Sequence, residues 1–219
     1  MSRTIENIYD DFKVPPNLQR HMLRAAASAE IIAEHWFGPL ISTPTMLRVL
    51  LLHDIGNIVK SDFDKKPELL EEEAPNVLYW KRVQKEFVER FGKDDHLASH
   101  KLAAEVGLND DELALLDAKI FVKNDITLKS EDFNLKISAY VDQRVGPFGV
   151  LPLEDRLREA QRRYKDVPGS SMNNPRTEYL IECALKIEQQ VMQFCRIGPQ
   201  DINDSSIEPY MTKLLRFAI

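Results

Sequence analysis

Apolar residues in this sequence recur at alternating spacings of four and three, the period of a helix that buries one face. From Leu18 the series runs through Met22, Ala25, Ala29 and Ile32 to Trp36. The strict alternation of a half-buried strand is hard to find anywhere along the chain. That contrast gives an all-α fold class. The least polar segment, Met46 to Asp54, carries Leu47, Val49, Leu50, Leu51 and Leu52. With apolar residues on nearly every face it is expected as the central buried helix.

Local punctuation divides the rest. Asn17, after Pro15 and Pro16, can cap the first helix, which Gly38-Pro39 ends; Thr43 before Pro44 places a cap and then a proline at the first helical position. Ser61 to Glu73 is charged and reads as a surface connection with a short helix. Asn76 opens a helix with Val77, Trp80, Val83, Phe87 and Phe91 on one face and Lys81, Arg82, Lys85 and Glu89 on the other. Further helices are expected from about Asp95 to Val106, from a cap at Asn109 or Asp110 through Glu112 to Val122, and from Asp132 or Asn134 to near Gln143. Arg144 to Gly149 reads as a loop. A charged helix from about Leu153 to Lys165 follows, then a hinge at Asp166 to Pro175. The last helix, Thr177 to Cys195, carries the stripe Leu180, Ala184, Ile187, Val191 and Phe194 ahead of a polar tail. At roughly 150 residues per domain, 219 residues fit one domain over 1–166 with an extension over 167–219 packed back upon it. A homodimer interface is the alternative use of that stripe.

Lys and Arg number 29 against 35 Asp and Glu, a net charge of −6. That balance argues against a nucleic-acid polymer or an anionic membrane as partner. The longest apolar run, Val49 to Leu52, is far short of the ~20 residues of a membrane span. Met1 to Lys13 is polar and acidic, so neither export nor membrane insertion is expected. Cys183 and Cys195 lie 12 positions apart on one expected helix, which is ~18 Å. A disulfide needs Cα atoms within ~7 Å. Free buried thiols and a cytoplasmic location are the expectation.

Five histidines carry most of the chemical information. His53 and Asp54 close the most apolar segment, where an unpaired imidazole and carboxylate would be costly to bury. A divalent cation compensates both while using both as ligands. Neighbours on a helix diverge by about 100°, so such an ion needs further ligands from other helices. His21, on the inward edge beside Leu18 and Ala25, and Asp142, after the apolar stretch Ile137 to Val141, are candidates. Each alone also reads as a satisfied core polar group or a helix-terminal charge. His96 and His100, four apart, have a two-histidine metal spacing or form a solvent-facing pair. His35 lies ~21 Å along the helix from His21 and reads as a C-terminal residue favoured by the helix dipole. The runs Lys81, Arg82, Lys85 and Arg156, Arg158, Arg162, Arg163 read as solvated faces. Arg144, just after Asp142, is the basic residue nearest the candidate ligands in sequence.

The string Leu50-Leu-Leu-His-Asp-Ile-Gly56, with a histidine about one helix upstream and an aspartate on a later helix, resembles the HD superfamily of metal-dependent phosphohydrolases, whose pattern is H…HD…D. Ala139 to Gly146 is similar to that family's closing helix, and the resemblance covers roughly Asn17 to Lys165. It implies an HD-domain helical bundle, here with an additional C-terminal helix. The implied ligands are His21, His53, Asp54 and Asp142, holding one divalent transition metal (Mn, Fe, Co, Ni or Zn). Two departures stand out. Many members carry lysine where this chain has Asn57, the nearest lysine being Lys60. Binuclear members add histidines; His100 resembles the first, but Phe121 to Asp125 stands where the second would fall. One metal is therefore expected, with a weaker second ion at most. The same gap counts against the oxygen-activating branch of the superfamily.

The resemblance further implies metal-dependent hydrolysis of a phosphate ester, mono- or diester, on a nucleotide or related small phosphorylated compound. Asp54 would accept the proton of the attacking water, His100 would contact phosphate or transfer a proton, and Arg144 would hold phosphate charge. A noncatalytic or regulatory HD module that binds a nucleotide or a protein partner through the same pocket is the alternative.

Overall fold

Packing is organised by the alanine-rich middle of the first long helix. In the computed structural model, described for residues 3–147, 149–167, 170 and 172–219, Ala25, Ala26, Ala27, Ser28 and Ala29 are all fully buried. Side chains this small let other helices approach from several sides at once. The helix, α2 (Pro16–Glu34), packs against α3 (Thr43–Leu50), α8 (Phe133–Arg144) and α11 (Asp204–Leu214). It follows α1 (Ile5–Asp11). Between α3 and α8 come α4 (Val77–Phe91), α5 (Asp95–Val106), α6 (Asp110–Ala118) and α7 (Asn124–Lys129), with 3-10 turns at Asn57–Lys60, Pro67–Asn76 and Phe121–Lys123. After α8 come α9 (Leu153–Tyr164) and α10 (Thr177–Met192). The one sheet among the described residues is a two-stranded antiparallel pair, β1 (Val145–Gly146) with β2 (Gly149–Val150). The all-α fold class holds.

Several boundaries moved for identifiable reasons. The cap of α3 is Ser42, whose Oγ accepts from the Thr45 N–H, rather than Thr43. The helix expected from Met46 to Asp54 ends at Leu50, and His53 and Asp54 lie in the turns that follow. The central role belongs to α2. The helix expected through Val122 stops at Ala118, and its continuation is the separate short helix α7. The presumed loop after Arg144 is the small hairpin, and the polar tail contains α11, capped by Asn203. Of the expected hinge, Pro168, Gly169 and Ser171 lie outside the described residues. By contrast, α5 ends at Gly107 as its sequence indicates, and α6 opens with a capping box between Asn109 and Glu112.

The stripe on α10 is buried within the chain: Leu180, Ala184, Ile187 and Val191 are each at most 3% exposed, against α7, α8 and α9. Cys183 and Cys195 are free and buried. No helix among the described residues is long and apolar enough to cross a membrane.

Candidate metal centre

Three elements distant in sequence aim ligand-type atoms at one point. His21 comes from the second turn of α2, His53 from the turn after α3, and Asp142 from the last turn of α8. His21 Nε2 lies 2.9 Å from His53 Nε2 and 3.1 Å from Asp142 Oδ1, and His53 Nε2 lies 3.0 Å from that same oxygen. Asp54 completes the ring from farther out, its oxygens 3.5 Å from His21 Nε2 and 3.7 Å from His53 Nε2. The His21, His53 and Asp142 atoms all fall within 4.8 Å of one another, a cluster that could hold a metal ion.

The turn carrying His53 and Asp54 is fastened from three directions. Tyr9 Oη on α1 donates to the Leu51 carbonyl at 2.8 Å. The Gly56 N–H donates to Ser99 Oγ on α5 at 3.1 Å. His53 Nδ1 lies 2.7 Å from the Leu50 carbonyl. A carbonyl can only accept, so Nδ1 carries a proton, and Nε2 is the ring nitrogen turned toward the cluster. Gly56 is required by close approach: a β-carbon there would stand against the backbone of Ala98 and Ser99.

A ring nitrogen and a carboxylate oxygen 3.0 Å apart need a proton or a cation between them. Burial would push the Asp142 carboxyl up; the Lys119 ammonium, then His53, with hydrogen bonds from both histidines, hold it well below the usual range. Burial likewise opposes ionisation of Asp54, and His53 and His21 outweigh it, holding that carboxyl below its ordinary value. The cluster is therefore built around carboxylates in their charged form.

One wall of the cluster opens into a cleft of about 300 Å³, lined by His53, Asp54, Lys60, Asp95, His96, Lys119, Phe121 and Asp142 among others. Lys119 is buried, and its Nζ sits 2.6 Å from Asp142 Oδ2. Sequence reading missed it, because the pair spans 23 residues and joins the end of one helix to another. The available signal was a lysine directly before the apolar pair Ile120-Phe121. Lys60, paired with Asp95 at 2.5 Å, lines the same cleft.

Two expected site residues fall elsewhere. Arg144 is 3% exposed, and its guanidinium donates to the carbonyls of Leu151, Pro199 and Ile202 and to the Tyr140 hydroxyl. Those groups occupy the fork, so Arg144 is a structural clamp rather than a phosphate contact. His100 is bound to Asp117 at 3.0 Å, shares that carboxylate with His96, and does not line the cleft. Of the two, His96 reaches the rim. His35 is the C-cap of α2, its Nδ1 3.0 Å from the Ile31 carbonyl. The basic runs are engaged with carboxylates: Lys81 with Asp64, Arg158 with Glu178, Arg163 with Glu159. Comparison with protein-family models, curated proteins and solved structures returned no match to this chain.

Proposed function

We propose that this chain is a metal-dependent phosphohydrolase of the HD type, with His21, His53, Asp54 and Asp142 holding one divalent transition metal. The observation that carries the reading is the meeting of two imidazole Nε2 atoms and one carboxylate oxygen, from three elements, at separations of 2.9 to 3.1 Å. Two imidazole nitrogens with carboxylate oxygens form a donor set that would suit a divalent transition metal such as Mn, Fe, Co, Ni or Zn. His53, Asp54 and Asp142 also line the cleft, so a metal held by them would be within reach of a molecule bound there.

A metal held there supplies Lewis acidity, polarising a phosphoryl oxygen and lowering the pKa of water. The chain's own groups supply the rest. Asp54, more exposed than His53 and ionised, is placed to accept a proton from a water in the cleft. His53, its Nδ1–H committed to Leu50, stays a fixed donor. The cleft volume suits a small phosphate ester, such as a nucleotide, rather than a polymer. The test is elemental analysis of dialysed protein followed by a panel of phosphomonoesters, diesters and nucleotides with and without chelator. The expected outcome is about one transition metal per chain and hydrolysis that chelator abolishes. Metal-loaded protein that binds a nucleotide but turns over nothing on the panel would point instead to a regulatory binding module.

A further inference from the structure

Lys119 presents a problem of charge. A buried ammonium needs a partner, and its partner is a carboxylate that the proposed metal also uses. Two cations on one carboxylate repel each other, so the metal-loaded site carries a surplus of positive charge. The cleft lining shows how large it is. Counting the carboxylates and ammoniums alone, Asp54, Asp95 and Asp142 face Lys60 and Lys119, one net negative charge; a divalent ion reverses the sign. In a chain of net charge −6, this would be a local positive site whose surplus is unmatched until an anion enters.

We infer that Lys119 and Lys60, which line the same cleft, form a two-ammonium clamp for the terminal phosphate of a phosphomonoester; the inference rests on the metal-centre reading above. The metal and the two ammoniums offer three cationic centres, matching the three non-bridging oxygens of a monoester; a diester has only two. Lys119 is buried and anchored by Asp142 in the cleft wall, so it is pre-positioned. Lys60, with its side chain half exposed, is drawn from Asp95 toward an entering phosphate. Because the lining is net negative without metal, the anion binds after the metal.

The test uses the full chain, Mn, inorganic phosphate and dimethyl phosphate. Metal affinity is read first, by competition with a chromophoric chelator; phosphate affinity is then read by calorimetry on metal-free and Mn-loaded protein. The loaded wild type should bind phosphate at least about tenfold more tightly than dimethyl phosphate, and the metal-free chain should bind neither. Lys119→Met should keep metal affinity at least equal to wild type while losing about tenfold or more in phosphate affinity, the size of one charge-assisted contact. Lys60→Met, on the rim, should lose about threefold or more with metal affinity unchanged. Phosphate affinity unchanged in both variants overturns the clamp and leaves the metal centre standing. Loss of metal in Lys119→Met with unchanged phosphate affinity in Lys60→Met also overturns it, making Lys119 a prop for Asp142 alone. If Lys119→Met does not fold, Lys60→Met decides. Failure of the wild type to take up metal overturns the metal centre and the clamp together.

Discussion

At the scale of single residues, Asp142 and Arg144, two positions apart, do different work. Asp142 is held ionised by Lys119 and the two histidines, so its removal disturbs charge and ligation together. Asp142→Asn and His53→Ala should each weaken metal binding by at least about a hundredfold, beyond the effect of losing a partner outside the ligand set. Chelator competition checks this, and equal metal content in wild type and both variants would dismiss the centre. Arg144→Ala should act on folding, because it strands three carbonyls and a hydroxyl in the interior. A loss of about 3–5 kcal/mol is expected, read from the urea midpoint. Arg144→Lys should recover little of it, since one ammonium cannot span the same acceptors. His21, His53 and Asp142 were legible as a candidate cluster because histidines and a carboxylate in apolar company need a reason to be there. Lys119 and the true role of Arg144 were not legible, because each is defined by a partner that only the tertiary fold brings near.

At the scale of elements, legibility followed length and capping. Long helices with a cap and a glycine stop, such as α5, were read almost to the residue. Short ones escaped: α1 has 7 residues and α7 has 6. A helix that short is marginal on its own and forms because it docks, as α1 does through buried Ile5, Ile8 and Tyr9. The most consequential difference is the end of α3, since it turns His53 and Asp54 out of a helix and into a turn where both can face one point. That turn depends on Gly56 lying against α5. Gly56→Ala should push the two elements apart, at a cost of about 1–3 kcal/mol, and should weaken metal binding by displacing His53. Thermal melts with and without added metal check both effects; a variant that melts like wild type and binds metal equally would show that the close approach is not what sets the turn.

At the scale of the whole molecule, the stretch that the sequence presents as a polar tail is tied to the site helix. Pro199 and Ile202 supply two of the carbonyls that hold Arg144. Asp204 pairs with Arg24 on α2 at 3.3 Å and accepts from the Val150 N–H. Lys213 reaches Glu30 at 2.6 Å, and Ile207 and Leu214 are buried against α2. Farther on, the Ile5 N–H donates to the Phe217 carbonyl and the Ile219 N–H to that of Arg3, which fixes α1 and through Tyr9 the His53 turn. Composition hides this, because Ile207 and Leu214 are seven apart among charged residues and Pro209 sits between them. Truncation after Gly198 should therefore act at a distance. Three buried aliphatic side chains, Ile202, Ile207 and Leu214, contribute about 1.5–3 kcal/mol each, and the stranded Arg144 adds to that. The sum approaches the 5–15 kcal/mol that holds a typical domain together. The truncated chain should lose cooperative unfolding and bind metal far more weakly, although every proposed ligand is retained. A fragment that melts cooperatively near the wild-type temperature and holds metal with equal affinity would show that the four ligands are positioned by α2, α3 and α8 alone.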